Sequence, residues 1–158
     1  PKEFVSGEGF LYLGKYYKLH IVDRQEQPLK FENGFYLSRN ALPEAKKVFI
    51  DWYKKAAYEK IIERVNWWAQ KRGFKYNKVN ITNAQRRWGT CSSKGNLNFS
   101  WRLIMAPLSV IDYVVVHELV HLEEKNHSKA FWTKVKMLMP DYKKYEDWLK
   151  KNGYLLKL

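Results

Sequence analysis

The segment from Pro107 to Leu122 constrains this chain most, because it is apolar almost all round and carries two histidines four residues apart. A helix without a polar face belongs at the centre of a core. Val114, Val115 and Val116 are mediocre helix formers, so burial has to hold that helix together. Residues i and i+4 lie one turn apart on a shared face, so His117 and His121 can reach one ion. Glu118 stands beside them, where it can hold a water and take its proton. This is the HExxH arrangement of zinc hydrolases: two imidazoles, a carboxylate base and a third ligand farther along. The competing reading is a buried helix whose histidines are satisfied core residues. Two imidazoles and a carboxylate facing inward need a partner, however, and one Zn2+ ion serves all three. The chain has 4 histidines, and His117, His121 and His127 fall in one short stretch.

Around that helix the spacing predicts a single α+β domain, 1–158, in three parts: N-terminal strands over 1–42, a long helix over 43–73 and a zinc-site core over 74–158. No repeat, low-complexity tract or Gly/Ser linker interrupts it. Tyr17, Leu19 and Ile21 alternate with Lys18 and His20, which puts His20 on a surface phase. Asn33–Gly34 between Leu29–Phe31 and Phe35–Leu37 predicts a hairpin. Pro43 opens the long helix, Gly73 ends it, and Ala45, Val48, Phe49, Trp52, Ala56, Ile61, Val65, Trp68 and Ala69 form its inner stripe.

Beyond Tyr76 the period changes to two. Val79 and Ile81 form one strand, and Leu97, Phe99, Trp101 and Leu103 another. Residues 86–95 read as a strand running into a turn. Pro107 starts the metal helix. Ser128 caps a further helix with Phe131, Val135, Leu138 and Met139 inward, and Pro140 stops it. Asp141 caps the last helix, with Tyr145, Trp148 and Leu149 inward and Gly153 past its end.

A net charge of +13 favours anionic partners, although a generally basic solvated surface gives the same number. One cysteine excludes an internal disulfide and fits a reducing compartment, hence a cytoplasmic location. No apolar run reaches membrane-spanning length, so no membrane partner is expected. Between Gly73 and Ile111 lie Lys75, Lys78, Arg86, Arg87, Lys94 and Arg102 without one Asp or Glu. If these converge, they attract phosphates or a nucleic-acid backbone.

The motifs together resemble the YgjP-like metallopeptidase domain family, related to the SprT-like zinc proteases. The resemblance runs over nearly the whole chain. It rests on Arg87–Trp88–Gly89–Thr90–Cys91–Ser92, Asn98, Trp101–Arg102–Leu103, Asp112–Tyr113, His117–Glu118 with His121, Asn126–His127–Ser128 and Pro140–Asp141–Tyr142. It implies a small zincin-like fold, zinc held by His117, His121 and His127, and Glu118 as general base. It also implies a peptidase, while some members carry a UTP pyrophosphatase label. Glu146 is a rival third ligand, in the manner of proteases that use a downstream glutamate; the Asn-His-Ser motif favours His127. Metzincin proteases share the spacing from His117 to His127 but have Gly where this chain has Glu124. The turn is therefore expected at Asn126, which tolerates a left-handed backbone. Met137 and Met139 are expected in the core, not in a Met-turn.

Three functions follow as expectations: a zinc peptidase, a protease acting on DNA-associated proteins, or a nucleotide phosphohydrolase using the same water. The substrate is accordingly a peptide, a protein or a nucleotide. Arg87, Trp88, Asn98 and Arg102 are the candidate substrate-binding residues, with surface charge and core packing as the alternatives. Arg87 and Arg102 are candidate oxyanion stabilisers, with Tyr142 as a weaker one. Cys91 is a reactive thiol, a regulatory zinc ligand or a small packed residue.

Overall fold

A computed structural model describes residues 1–158. Seven strands and four helices follow in the order β1 (Gly9–Tyr12), β2 (Lys15–Val22), β3 (Leu29–Phe31), β4 (Phe35–Ser38), α1 (Ala45–Arg72), β5 (Lys78–Thr82), β6 (Gly89–Cys91), β7 (Asn96–Ser100), α2 (Leu108–Val120), α3 (Lys129–Leu138) and α4 (Tyr142–Asn152). The fold is α+β with two small mixed sheets. One has strand order β1-β2-β4-β3 and the other β5-β7-β6. In each, one parallel pair joins antiparallel neighbours, β2 with β4 and β5 with β7. No helix is long and apolar enough to cross a membrane.

The helix α2 lies at the centre, as its all-round apolarity requires: Val110, Ile111, Val114, Val115, Val116, Leu119 and Val120 are all buried. The long helix α1 packs against α2, and its buried stripe comprises Ala45, Phe49, Ile61, Val65, Trp68 and Ala69. Tyr53 and Ala57 also belong to that stripe, while Val48, Trp52 and Ala56 are only partly buried. Gly73 ends α1 in the left-handed conformation (φ 72), which a Cβ would strain. Aromatic packing ties the first sheet to this frame. Phe10 and Phe49 stack at 4.3 Å, Tyr53 stacks on Trp101 at 5.6 Å, and Tyr53 Oη donates to the Leu11 carbonyl.

The β1–β2 hairpin tip fixes where α2 begins. Leu13 (φ 49) and Gly14 (φ 85) form the turn, and their N–H groups donate to the carbonyls of Ile104 and Met105. A Cβ on Gly14 would lie 2.9 Å from Pro107 Cγ, and Pro107 is the N-cap of α2.

The expected hairpin is present: its register pairs Phe31 with Phe35, so its loop is Glu32–Asn33–Gly34 with Asn33 (φ 53) at the tip. Several local expectations are corrected. Strand β7 stops at Ser100, and Trp101–Met105 is a 3-10 turn that still buries Trp101 and Leu103. Pro43 lies in a 3-10 turn, Arg39–Glu44, ahead of α1. Met137 is 67% exposed, whereas Met139 is buried. Asn126 does not adopt a left-handed backbone. Instead α2 tightens at its end: the N–H groups of Leu122 and Glu123 reach back three residues to the Leu119 and Val120 carbonyls.

Candidate metal centre

The structure brings His117, His121 and His127 together, with one side-chain nitrogen of each inside a group spanning no more than 4.8 Å. The first two come from the last turn of α2. His127 returns to them because Ser128 caps α3, accepting from the Phe131 N–H at 3.3 Å. Buried Phe131 then forms the floor, with ring centroids 5.0, 4.5 and 4.9 Å from the rings of His117, His121 and His127. The connecting turn is held by Lys134, whose Nζ lies 2.7 Å from Glu124 Oε2 and 3.1 Å from Glu123 Oε1.

Hydrogen bonds orient two of the rings. His121 Nδ1 lies 3.0 Å from the Glu124 carbonyl, which can only accept, so Nδ1 carries the proton and Nε2 is bare. His117 Nδ1 lies 3.0 Å from Glu118 Oε2, and with the ring donating from Nδ1 its Nε2 is bare in the same way. The Nε2 atoms of His121 and His127 are 3.0 Å apart. Two imidazole nitrogens at that distance need a proton or a cation between them. Burial and the two neighbouring imidazoles hold His127 below its ordinary pKa, which favours the neutral, ligating form. The donor set therefore fits a metal ion that accepts nitrogen ligands.

Glu118 is buried beneath β6. A Cβ on Gly89 would stand 3.0 Å from Glu118 Cγ and 3.1 Å from Val114 Cγ1, so glycine lets the strand pass directly over the carboxylate. Beside this point opens a cleft of about 330 Å³ that contains His117 and Glu118. Its wall includes Arg87, Trp88, Tyr113, Glu146, Leu149 and Lys150. Tyr113 Oη donates to Glu146 Oε2 at 3.3 Å, and burial followed by the Glu146 charge pushes the Tyr113 pKa well above its ordinary value. Glu146 thus faces the cleft but stands outside the histidine group. Trp88 is seated against Gly153, where a Cβ would come within 2.9 Å of its ring.

Of the residues expected to bind substrate, Arg87 and Trp88 line the cleft and two do not. Arg102 is turned away: its Nη1 donates to the carbonyls of Asn83 and Ala84, both at 3.0 Å, and its guanidinium lies over Trp101. Asn98 is spent on the sheet, accepting from Asn80 Nδ2 and donating to Thr90 Oγ1. The reason is register. Leu97 and Phe99 face the core, so Asn98 faces the other side. Tyr142 is buried, stacked between Tyr113 and Trp132. Cys91 borders a second cavity next to His121, and burial followed by the Glu118 charge pushes its thiol up to about 11. His20 is exposed and stacks on Tyr36. Gly89 and Tyr113 belong to the sequence motifs but carry no site role there, and Lys150 belongs to none of them. Tyr113 had a signal, since it precedes His117 by one helical turn and shares its face.

A family model described as YgjP-like, metallopeptidase domain, matches residues 1–152. The fold is similar to the crystal structure of the metallopeptidase zymogen of Pyrococcus abyssi abylysin, with a TM-score of 0.53 and 21% identity over 61% of this chain and 96% of that one. No curated protein matches the chain.

Proposed function

The chain belongs to the YgjP-like metallopeptidase domain family, and from that premise we propose that it is a zinc-dependent peptidase whose general base is Glu118. His117, His121 and His127 would hold the ion. One nitrogen from each ring lies within 4.8 Å of the others, and the Nε2 atoms of His121 and His127 are 3.0 Å apart, a cluster of nitrogen donors that one zinc ion would bridge. When bound, zinc supplies Lewis-acid polarisation and makes water acidic enough to act near neutral pH.

Glu118 takes the proton of the attacking water and delivers it to the leaving amine. Its burial against the His117 ring keeps that carboxylate in one place. Arg87, the one arginine of the cleft, is the candidate for meeting the developing oxyanion.

The observation that carries a peptide substrate is the free edge of β6. Trp88 and Ser92 spend backbone groups on β7, with Ser100 N–H to the Trp88 carbonyl at 3.0 Å and Ser92 N–H to the Asn96 carbonyl at 2.9 Å. By the alternation of an antiparallel ladder, Gly89 and Cys91 then direct their N–H and C=O outward. An extended peptide can pair with that edge as an added strand, directly above Glu118. The phosphohydrolase alternative loses support because Arg102 is engaged elsewhere. One assay decides between them: zinc-loaded protein with casein, a protein bound to DNA, and UTP, with Glu118→Gln as control. Peptide-bond cleavage that vanishes in the variant supports the proposal. Release of pyrophosphate from UTP with casein left intact would overturn it.

A further inference from the structure

The strand β6 runs between two recesses. At Gly89 it borders the cleft with His117 and Glu118, and at Cys91 a second cavity of about 390 Å³ that also touches His121. We propose that this second cavity receives a carboxylate side chain of the substrate peptide, two to three residues from the bond that is cut. The inference rests on the peptidase reading and adds a substrate class to it.

The charged residues of the second cavity are all lysines. Lys75, Lys94 and Lys125 stand around it with the hydroxyls of Ser92 and Ser93, and its wall contains no Asp or Glu. None of the three lysines belongs to an ion pair. The nearest carboxylates in sequence to Lys125 are already engaged: Glu123 with Arg72 at 3.3 Å and with Lys134, and Glu124 with Lys134 at 2.7 Å. Positive charge there is uncompensated, and an oxyanion offers acceptor sites for the lysine donors. The first cleft differs, with Trp88, Val114 and Leu149 as apolar walls and Glu146 present.

Position along the strand sets the spacing. A chain paired with β6 advances about 3.3 Å per residue, so Gly89 and Cys91 are about 7 Å apart. A peptide placed with its reacting carbonyl by Glu118 therefore brings a side chain two to three residues away over Lys94 and Lys125. A peptide rather than a nucleic acid is favoured because the cavity is continuous with an edge of free N–H and C=O groups, which pair with another peptide backbone.

The test uses the full, metal-loaded chain and a fluorogenic peptide carrying Glu or Gln at each position up to four residues on either side of the cleaved bond. At one position Glu should exceed Gln in kcat/KM by about 10-fold or more at low salt, and the ratio should shrink as ionic strength rises. The Glu:Gln ratio should fall toward one in Lys94→Gln/Lys125→Gln. A ratio of one at every position, with the neutral peptides still cleaved, overturns the anion pocket and leaves the peptidase reading standing. If no peptide is cut, the peptidase reading fails, and fluorescence anisotropy of the same peptides with Glu118→Gln protein decides the pocket alone. Preferential binding of the Glu peptide, lost with the two lysines, supports it, and equal binding overturns it. A short single-stranded DNA that displaces the Glu peptide only while those lysines are present would assign the cavity to nucleic acid instead.

Discussion

Arg64 of α1 grips Asp112 of α2 with two parallel hydrogen bonds, Nε to Oδ1 at 2.7 Å and Nη2 to Oδ2 at 3.0 Å. Their side chains are only 16% and 11% exposed, and Asp112 lies five residues before His117 on a largely apolar helix. Removing one partner leaves a nearly buried charge alone, so Asp112→Asn and Arg64→Met should each destabilise the fold by about 3–5 kcal/mol. Replacing both with Leu and Met should recover much of that loss. Urea unfolding of the three variants measures it, and wild-type midpoints for the single variants would show that the bridge contributes nothing.

Replacing Glu118 by Gln keeps shape and metal ligands but removes the proposed base. Hydrolysis should drop on the order of 100-fold or more, with metal content unchanged by elemental analysis. Turnover equal to wild type would exclude Glu118 as the proton acceptor.

The third ligand is separable from its rival by metal content. His127→Ala should emerge from dialysis with substoichiometric zinc, and Glu146→Ala should retain its full complement, because Glu146 stands outside the histidine group and is engaged by Tyr113. The reverse pattern would move the ligand to α4.

Gly89→Ala probes the closeness of β6 to the base. The new methyl would meet Glu118 Cγ at 3.0 Å and Oε2 at 3.2 Å, so the carboxylate must shift. Activity should fall between about 10- and 100-fold, the usual result of a displacement near 1 Å, while zinc binding persists. Kinetics that match wild type would place the catalytic carboxylate elsewhere.

Cys91 offers a pH test. Its thiol, pushed up to about 11 by burial and then by the Glu118 charge, should alkylate with iodoacetamide at rates still rising tenfold per pH unit beyond pH 9. An unperturbed cysteine levels off near its ordinary value of about 8.5. In Glu118→Gln the reaction should speed up, because the carboxylate that opposes the thiolate is gone. A plateau near pH 8.5 in the wild-type protein would show an open, unburied thiol.

What the sequence determined by itself is local and periodic. The spacing of His117 and His121, the apolar circumference of α2, the Ser128 cap and the Gly73 stop all follow from 3.6 residues per turn and from backbone conformations open to few residues. Tertiary structure decided what converges. Arg87 and Arg102 look equivalent in the sequence, yet one lines the cleft while the other is used on Asn83 and Ala84, because β7 ends at Ser100 and turns the chain there. Asn98 is lost to the site by a strand's two-residue period, and Gly89 enters it through a close approach no pattern records. Lys75, Lys94 and Lys125 are scattered over fifty residues and meet only because the end of α1, the β6–β7 turn and the end of α2 share one corner. Periodicity assigns a side chain to a face of its own element, and only packing between elements determines what that face meets.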